Sequence, residues 1–181
     1  MTQGKAVIII NGAGGVGKDT LCGFAAAEYR VANRSSVDQV KEIARNYAGW
    51  SDERKDSKSR KFLSDLKALL VDYCDAPCRY LEAEYRNFLE SDGELLFVHI
   101  REIEEIRKFR ERILALGQPP CYTLLIRRGA ASPSWGNRSD DEVEQGDYDW
   151  YYDNDRPLAE AQNDFLRFLR EHLREQSRQS L

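Results

Sequence analysis

The chain has 181 residues, with 27 lysines and arginines against 31 aspartates and glutamates for a formal charge of −4, and a mean hydropathy of −0.64. That length suits one α/β domain spanning residues 1–181, and the acid excess gives no overall pull on polyanions, so nucleic acid is not an expected partner. No apolar run approaches the about 18 residues that a membrane span needs, and the first apolar stretch is only strand-length, so no membrane partner and a cytoplasmic location are expected.

Residues 5–10 form a short continuous apolar run, the pattern of a strand covered on both faces, and 17–29 read as the helix after it. A weak second strand lies in 30–36. Val37, Val40, Ile43, Ala44 and Tyr47 then recur at helical spacing, with Asp38 near the helix start. Residues 49–59 are polar and charged and read as a loop. From Arg60 onward, Phe62, Leu63, Leu66, Leu69, Leu70 and Tyr73 make an apolar helical stripe, and Ala76-Pro77 resets the chain into a second helix over 78–89. Residues 94–100 (ELLFVHI) read as a buried strand. Ile103, Ile106, Phe109, Ile113 and Leu116 mark an amphipathic helix ended by Gly117 and Pro119. A fourth strand covers 122–126, and 127–147 carries glycines, serines, Pro133 and acids without periodicity, as a surface loop over a site does. Residues 148–152 read as a short last strand, and Leu158, Ala161, Phe165, Phe168, Leu169 and Leu173 line a final helix. Strands alternating with helices predict a parallel, three-layer α/β sheet. Cys22, Cys74, Cys78 and Cys121 are scattered, with no histidine or further cysteine to complete a ligand set, and are expected as free thiols.

The most specific signal is the run from Ile8 to Thr20, IIINGAGGVGKDT. A strand enters a turn with Gly12-x4-Gly17-Lys18, and a helix follows. This spacing converges the backbone N–H groups of Ala13, Gly14, Gly15, Val16, Gly17 and Lys18 on phosphate oxygens at a helix N-terminus. Lys18 then bridges the outer phosphates of a nucleotide, and Thr20 reaches an inner one. Asp19 follows the lysine where Ser or Thr is usual. It either ligates Mg²⁺, directly or through water, or complements the helix dipole; a carboxylate beside a triphosphate is repulsive without a cation, which favours a metal at Asp19 and Thr20.

The Gly-Lys-Asp-Thr ending resembles the loop of P-loop nucleoside and nucleotide kinases, in particular deoxynucleoside monophosphate kinases of phage type and animal-type phosphomevalonate kinases. Those families follow the third strand with Asp-x-Arg; the matching stretch here is His99-Ile100-Arg101. Residues 146–154 (GDYDWYYDN) resemble the family's last strand, which ends in Asn before a terminal helix. The resemblance implies a three-layer α/β/α P-loop fold with a five-stranded parallel sheet in the order 2-3-1-4-5, a helical acceptor region over 49–93 and a lid-like loop over 127–147. It further implies ATP and Mg²⁺ as cofactors, and phosphoryl transfer to a small acceptor such as a nucleoside monophosphate.

Carried onto this chain, the resemblance puts Arg101 against the acceptor or the transferring phosphate. Lys41 and Arg60 match basic positions flanking the acceptor's phosphate. Arg127, Arg128 and Arg138 bracket the lid-like loop, with Arg127 toward the nucleotide and the others toward the transferring phosphoryl group. Asp38 reads either as a group that orients or deprotonates the acceptor or as a helix cap. His99, standing where the family has its acid, is a packed strand-end residue, a hydrogen-bond partner of the acceptor or a proton carrier. Asp140, Asp141, Glu142 and Glu144 read as a solvated loop face. A GTPase is disfavoured by the lack of an Asn-Lys-x-Asp segment and of an Asp-x-x-Gly switch after a strand. The standing alternative is an ATP-binding regulatory module with weak or lost transfer chemistry.

Overall fold

In the computed structural model, which describes residues 4–53, 56–117, 119–129, 143 and 146–179, the first apolar run becomes the central strand β1 (Ala6–Asn11), buried at every position. Its neighbours explain that burial. β3 (Leu95–His99) and β4 (Cys121–Arg127) pair with β1 in parallel on its two sides, and helices cover both faces, so the strand has no solvent face to alternate toward. β2 (Val31–Ser35) and β5 (Trp150–Asp153) complete a five-stranded sheet in the order β2-β3-β1-β4-β5, parallel throughout. This is the order the resemblance implies.

Parallel pairing requires crossovers: α1 (Lys18–Ala25) joins β1 to β2, α2 (Asp38–Ala48), α3 (Ser57–Cys74) and α4 (Ala76–Glu90) join β2 to β3, and α5 (Ile103–Ala115) joins β3 to β4, while α6 (Leu158–Gln179) follows β5. Successive strand residues face opposite layers. Ile8, Ile10, Phe97 and Leu124 pack with Leu21 of α1 and Phe165 and Leu169 of α6. Val7, Ile9, Val98 and Leu125 pack on the other face with Tyr85 of α4 and Phe109 of α5.

Several boundaries differ from the expected ones for local reasons. α1 stops at Ala25, because the next N–H groups bond three residues back, Ala26 to Gly23 at 3.2 Å and Ala27 to Phe24 at 3.1 Å, tightening the chain out of the α-helix. α3 starts at Ser57, inside the stretch expected as loop, because Asp56 caps it by accepting from the Ser59 N–H at 2.7 Å. Pro77 lies within the first turn of α4, where its missing N–H is not needed. The break falls instead at Asp75, whose φ of 55° turns the corner and whose carboxylate meets Lys108 and Arg112, both at 2.7 Å.

α3 is the least conventional helix. Of its stripe, Phe62, Leu69 and Tyr73 point outward, with Tyr73 88% exposed, and the one buried residue is Lys67. The inward seam is ionic. Lys67 pairs with Glu102 and, at 2.9 Å, with Glu105 of α5. Burial pushes the Glu105 carboxyl above its ordinary pKa, and the Lys67 ammonium pulls it back. Among the described residues no helix is long and apolar enough to cross a membrane.

Lys67→Met keeps the length of the stem but strands two carboxylates. We expect a loss of about 1–3 kcal/mol in urea unfolding at neutral pH, less than for a fully buried pair because Glu102 is partly solvated. An unchanged midpoint would show that the seam contributes nothing.

Candidate functional site

β1 delivers the chain into the glycine turn at the carboxyl edge of the sheet. Gly12 adopts φ 144°, and a Cβ there would collide with the Ile126 carbonyl oxygen of β4. Gly17 adopts φ 94°, and a Cβ there would come within 2.6 Å of Asn154 Nδ2. Both positions therefore need glycine twice over, for conformation and for space. Between them Val16 is buried, and its carbonyl accepts from Asn154 Nδ2 at 2.8 Å. Asn154, one residue beyond β5, thus clamps the turn from the far side of the sheet.

Gly17 is the N-cap of α1 and supplies no side-chain cap, so the helix's first N–H groups and its positive dipole end face the turn. Lys18 lies across the loop, donating to the carbonyls of Gly12 and, at 2.8 Å, of Ala13. Ala13, Gly14 and Gly15 form the rim, Gly15 with φ 82°. Asp19 and Thr20, in the first turn of α1, are exposed; the Asp19 side chain is 94% so.

His99 ends β3, in register with Ile10 on one side and Ser35 on the other. Its side chain is only 13% exposed and faces the α1 layer: Nε2 lies 2.7 Å from Asn33 Oδ1, 3.7 Å from Cys22 Sγ and 3.9 Å from Asp19 Oδ1. Burial lowers its pKa, with the Asp19 carboxylate opposing and the Lys18 ammonium adding to the shift. The imidazole is therefore neutral near pH 7, and the amide oxygen opposite implies that Nε2 carries its proton. The neighbouring Cys22 thiol is pushed far up by burial, so it is not an anionic nucleophile.

The residues expected on the acceptor side stand further apart. Asp38, first residue of α2, accepts from the Ser35 N–H at 2.7 Å and so braces the β2–α2 turn. Lys41 lies one turn on, 3.7 Å from Asp52, which Arg45 also holds at 3.1 Å. Arg60 sits in the first turn of α3, its N–H donating to the Asp56 carbonyl at 3.1 Å. Arg101 is exposed, and its carbonyl accepts from Asn11 Nδ2 at 3.0 Å. At the end of β4, the Arg127 guanidinium stacks over the Tyr151 ring at 4.7 Å, and Arg128 is exposed beside it. Arg138, with Asp140, Asp141, Glu142 and Glu144, lies outside the described residues.

The structure thus gathers residues 12–20 and His99 at one edge and reaches Arg101 through Asn11. Asn11 and Tyr148 were not singled out from sequence as site residues; the available signal was an asparagine closing an otherwise apolar strand. A groove of about 450 Å³ beside β5 and α6, lined in part by Tyr151, Asp155, Arg156 and Phe168, includes none of residues 12–20. The glycine turn expected from the sequence to hold phosphate lies apart from this groove. Among the described residues no group of three His, Cys, Asp or Glu side chains is arranged to hold a metal. The Asp19 carboxylate and Thr20 hydroxyl are hard oxygens that suit a cation taking its remaining ligands from water and phosphate.

No protein-family model matches the chain, and no curated protein matches it. Two solved structures share its architecture over nearly its whole length. One is a "putative kinase" from Chloroflexus aurantiacus J-10-fl, 18% identical with a TM-score of 0.51 over 97% of this chain and 99% of that one. The other is TT1252 from Thermus thermophilus, 16% identical with a TM-score of 0.52 over 94% and 98%. At such identities the likeness is one of fold: an α/β architecture on five parallel strands.

Because the folded state depresses the His99 pKa, the unfolded chain binds that proton more readily, and stability falls as pH drops through about 6.5. His99→Gln keeps an amide donor near Asn33 without a titrating ring. Its urea midpoint should fall less than that of the parent between pH 7 and 5, and equal falls would contradict the burial of a neutral imidazole.

Proposed function

We propose that the chain is an ATP-dependent phosphotransferase that moves the terminal phosphoryl group of Mg²⁺-ATP to a small, already phosphorylated acceptor such as a nucleoside monophosphate. The observation that carries this reading is the turn from Gly12 to Lys18, closed to side chains at Gly12 and Gly17 and crossed by one ammonium. The kinase name carried by the Chloroflexus protein, which shares the fold, supports the class.

On this reading the amides of residues 13–18 receive the β-phosphate, and Lys18 exchanges its loop carbonyls for β- and γ-oxygens. Asp19 and Thr20 would hold Mg²⁺, which when bound would neutralise charge on the phosphates. Arg101 from the acceptor side and Arg127 and Arg128 from the end of β4 orient the groups and offset charge on the transferring phosphoryl. A phosphate acceptor is already anionic near pH 7, since its second pKa is about 6, so no general base is required. Asp38, with one oxygen committed to the Ser35 N–H, orients the acceptor. His99, neutral and bonded to Asn33, is the feature that favours the second reading, an ATP-binding module with weak transfer.

Lys18→Ala removes the ammonium and should weaken ATP binding by about 30-fold or more, as loss of a charge-assisted pair does, read by calorimetric titration. With the parent protein, ATP consumption against a panel of nucleoside monophosphates, nucleosides and small phosphorylated metabolites should identify an acceptor. Lys18-dependent binding with no turnover on any of them would decide for the module.

Asp19→Asn removes the charge and keeps the shape. We expect roughly tenfold weaker ATP binding with Mg²⁺ and no loss in EDTA. Equal losses under both conditions would reduce Asp19 to a partner of the helix dipole.

A further inference from the structure

Asn11 closes β1 and is 1% exposed, although the five residues before it are apolar. A buried amide is tolerated only when its polar atoms are bonded, and here each group is. Oδ1 accepts from the Gly12 N–H at 2.8 Å. Nδ2 donates to the Arg101 carbonyl at 3.0 Å and to the Tyr148 hydroxyl at 2.8 Å. That hydroxyl donates its single proton to the Val143 carbonyl at 3.0 Å, so toward Asn11 it can only accept. The chain of bonds has one consistent direction, each polarising the next. Reversing the amide would set NH₂ against the Gly12 N–H and oxygen against the Arg101 carbonyl, so the rotamer is fixed.

These partners lie in three segments far apart in sequence: the first glycine of the phosphate turn, Arg101 two residues beyond β3, and the stretch leading into β5. An aliphatic residue would fill the same volume, and what it would lack is the connection. We propose that Asn11 is a positioning residue that holds the phosphate turn and the Arg101 main chain in one frame and, through the Tyr148 hydroxyl, ties the segment before β5 to that frame. Filling the turn with polyphosphate therefore orders both distant segments. The inference rests on the nucleotide reading above.

Hydrogen–deuterium exchange of the full chain, with and without Mg²⁺ and β,γ-imido-ATP, reads the coupling without needing an acceptor. In the parent protein the nucleotide should slow exchange roughly threefold or more at residues 12–20 and also at 101–103 and 146–149. Tyr148→Phe keeps the ring and should retain the first two effects while losing the third. Asn11→Ala should lose both distant effects and keep that at 12–20; should it not fold, Tyr148→Phe, with its melting temperature as control, decides the matter. Slowing at 146–149 that survives in Tyr148→Phe overturns the inference. So does slowing confined to 12–20 in the parent, or loss at all three segments in a natively melting Asn11→Ala, which would make Asn11 part of the turn alone. No slowing at 12–20 in the parent would overturn the nucleotide reading itself, and the inference with it.

Discussion

The approach of Gly12 to the Ile126 carbonyl sets the geometry on which the rest of the site depends. The β1–β4 register pairs Ile10 with Leu124 and Asn11 with Leu125, so the chain leaves β1 beside the backbone of β4 with room for a hydrogen and nothing larger. Asn154 applies the same constraint at Gly17 from the next strand along. A turn pinned at both ends by the sheet has its amides arranged before any ligand arrives, which is the condition for electrostatic stabilisation without reorganisation. Neither contact uses the side chains of Asp19 and Thr20, which remain at the surface.

The charge pattern at this edge is local and differs from that of the whole chain. An acidic protein presents here a helix N-terminus and one ammonium. Two carboxylates, Asp19 and Asp38, act on the buried His99, but an acid at position 99 would face Asp19 across a gap that now measures 3.9 Å. Like charges that close disfavour joint ionisation. A neutral imidazole avoids that repulsion, and the carboxylate at this edge stands on α1, at Asp19.

Local pattern made most of the sheet legible. Continuous apolar runs marked β1, β3 and β4, and the glycine spacing marked the turn, because those signals are consequences of burial and of φ at single positions. Periodicity also found α3, but a stripe does not say which way it faces. Its orientation is set by Lys67 meeting Glu102 and Glu105, more than 30 residues on, and an apolar count cannot anticipate an ionic seam. Asn11 and Tyr148 escaped for the same reason, since their bonds span 90 and 137 residues. Asp38 was legible as both cap and site acid. The structure shows no side-chain cap at this helix end; the Asp38 carboxylate accepts instead from the Ser35 N–H at the end of β2.

The two sides of the site are built from different materials, with a consequence for specificity. The glycine turn is backbone, with Gly12 and Val16 buried, and is held by Ile126, Asn154 and Asn11 together. The opposite side offers exposed charges in surface pairs, Lys41 with Asp52 and Arg45 with the same carboxylate. Such pairs contribute about 0–1 kcal/mol each, so either can be exchanged for another partner at little cost. Changing a residue on this side leaves the sheet untouched, whereas changing Gly12 or Gly17 would force strand β4 or Asn154 to move. On the phosphotransfer reading, donor recognition is therefore fixed by the fold and acceptor recognition by replaceable side chains, which is how one architecture comes to serve chemically different acceptors.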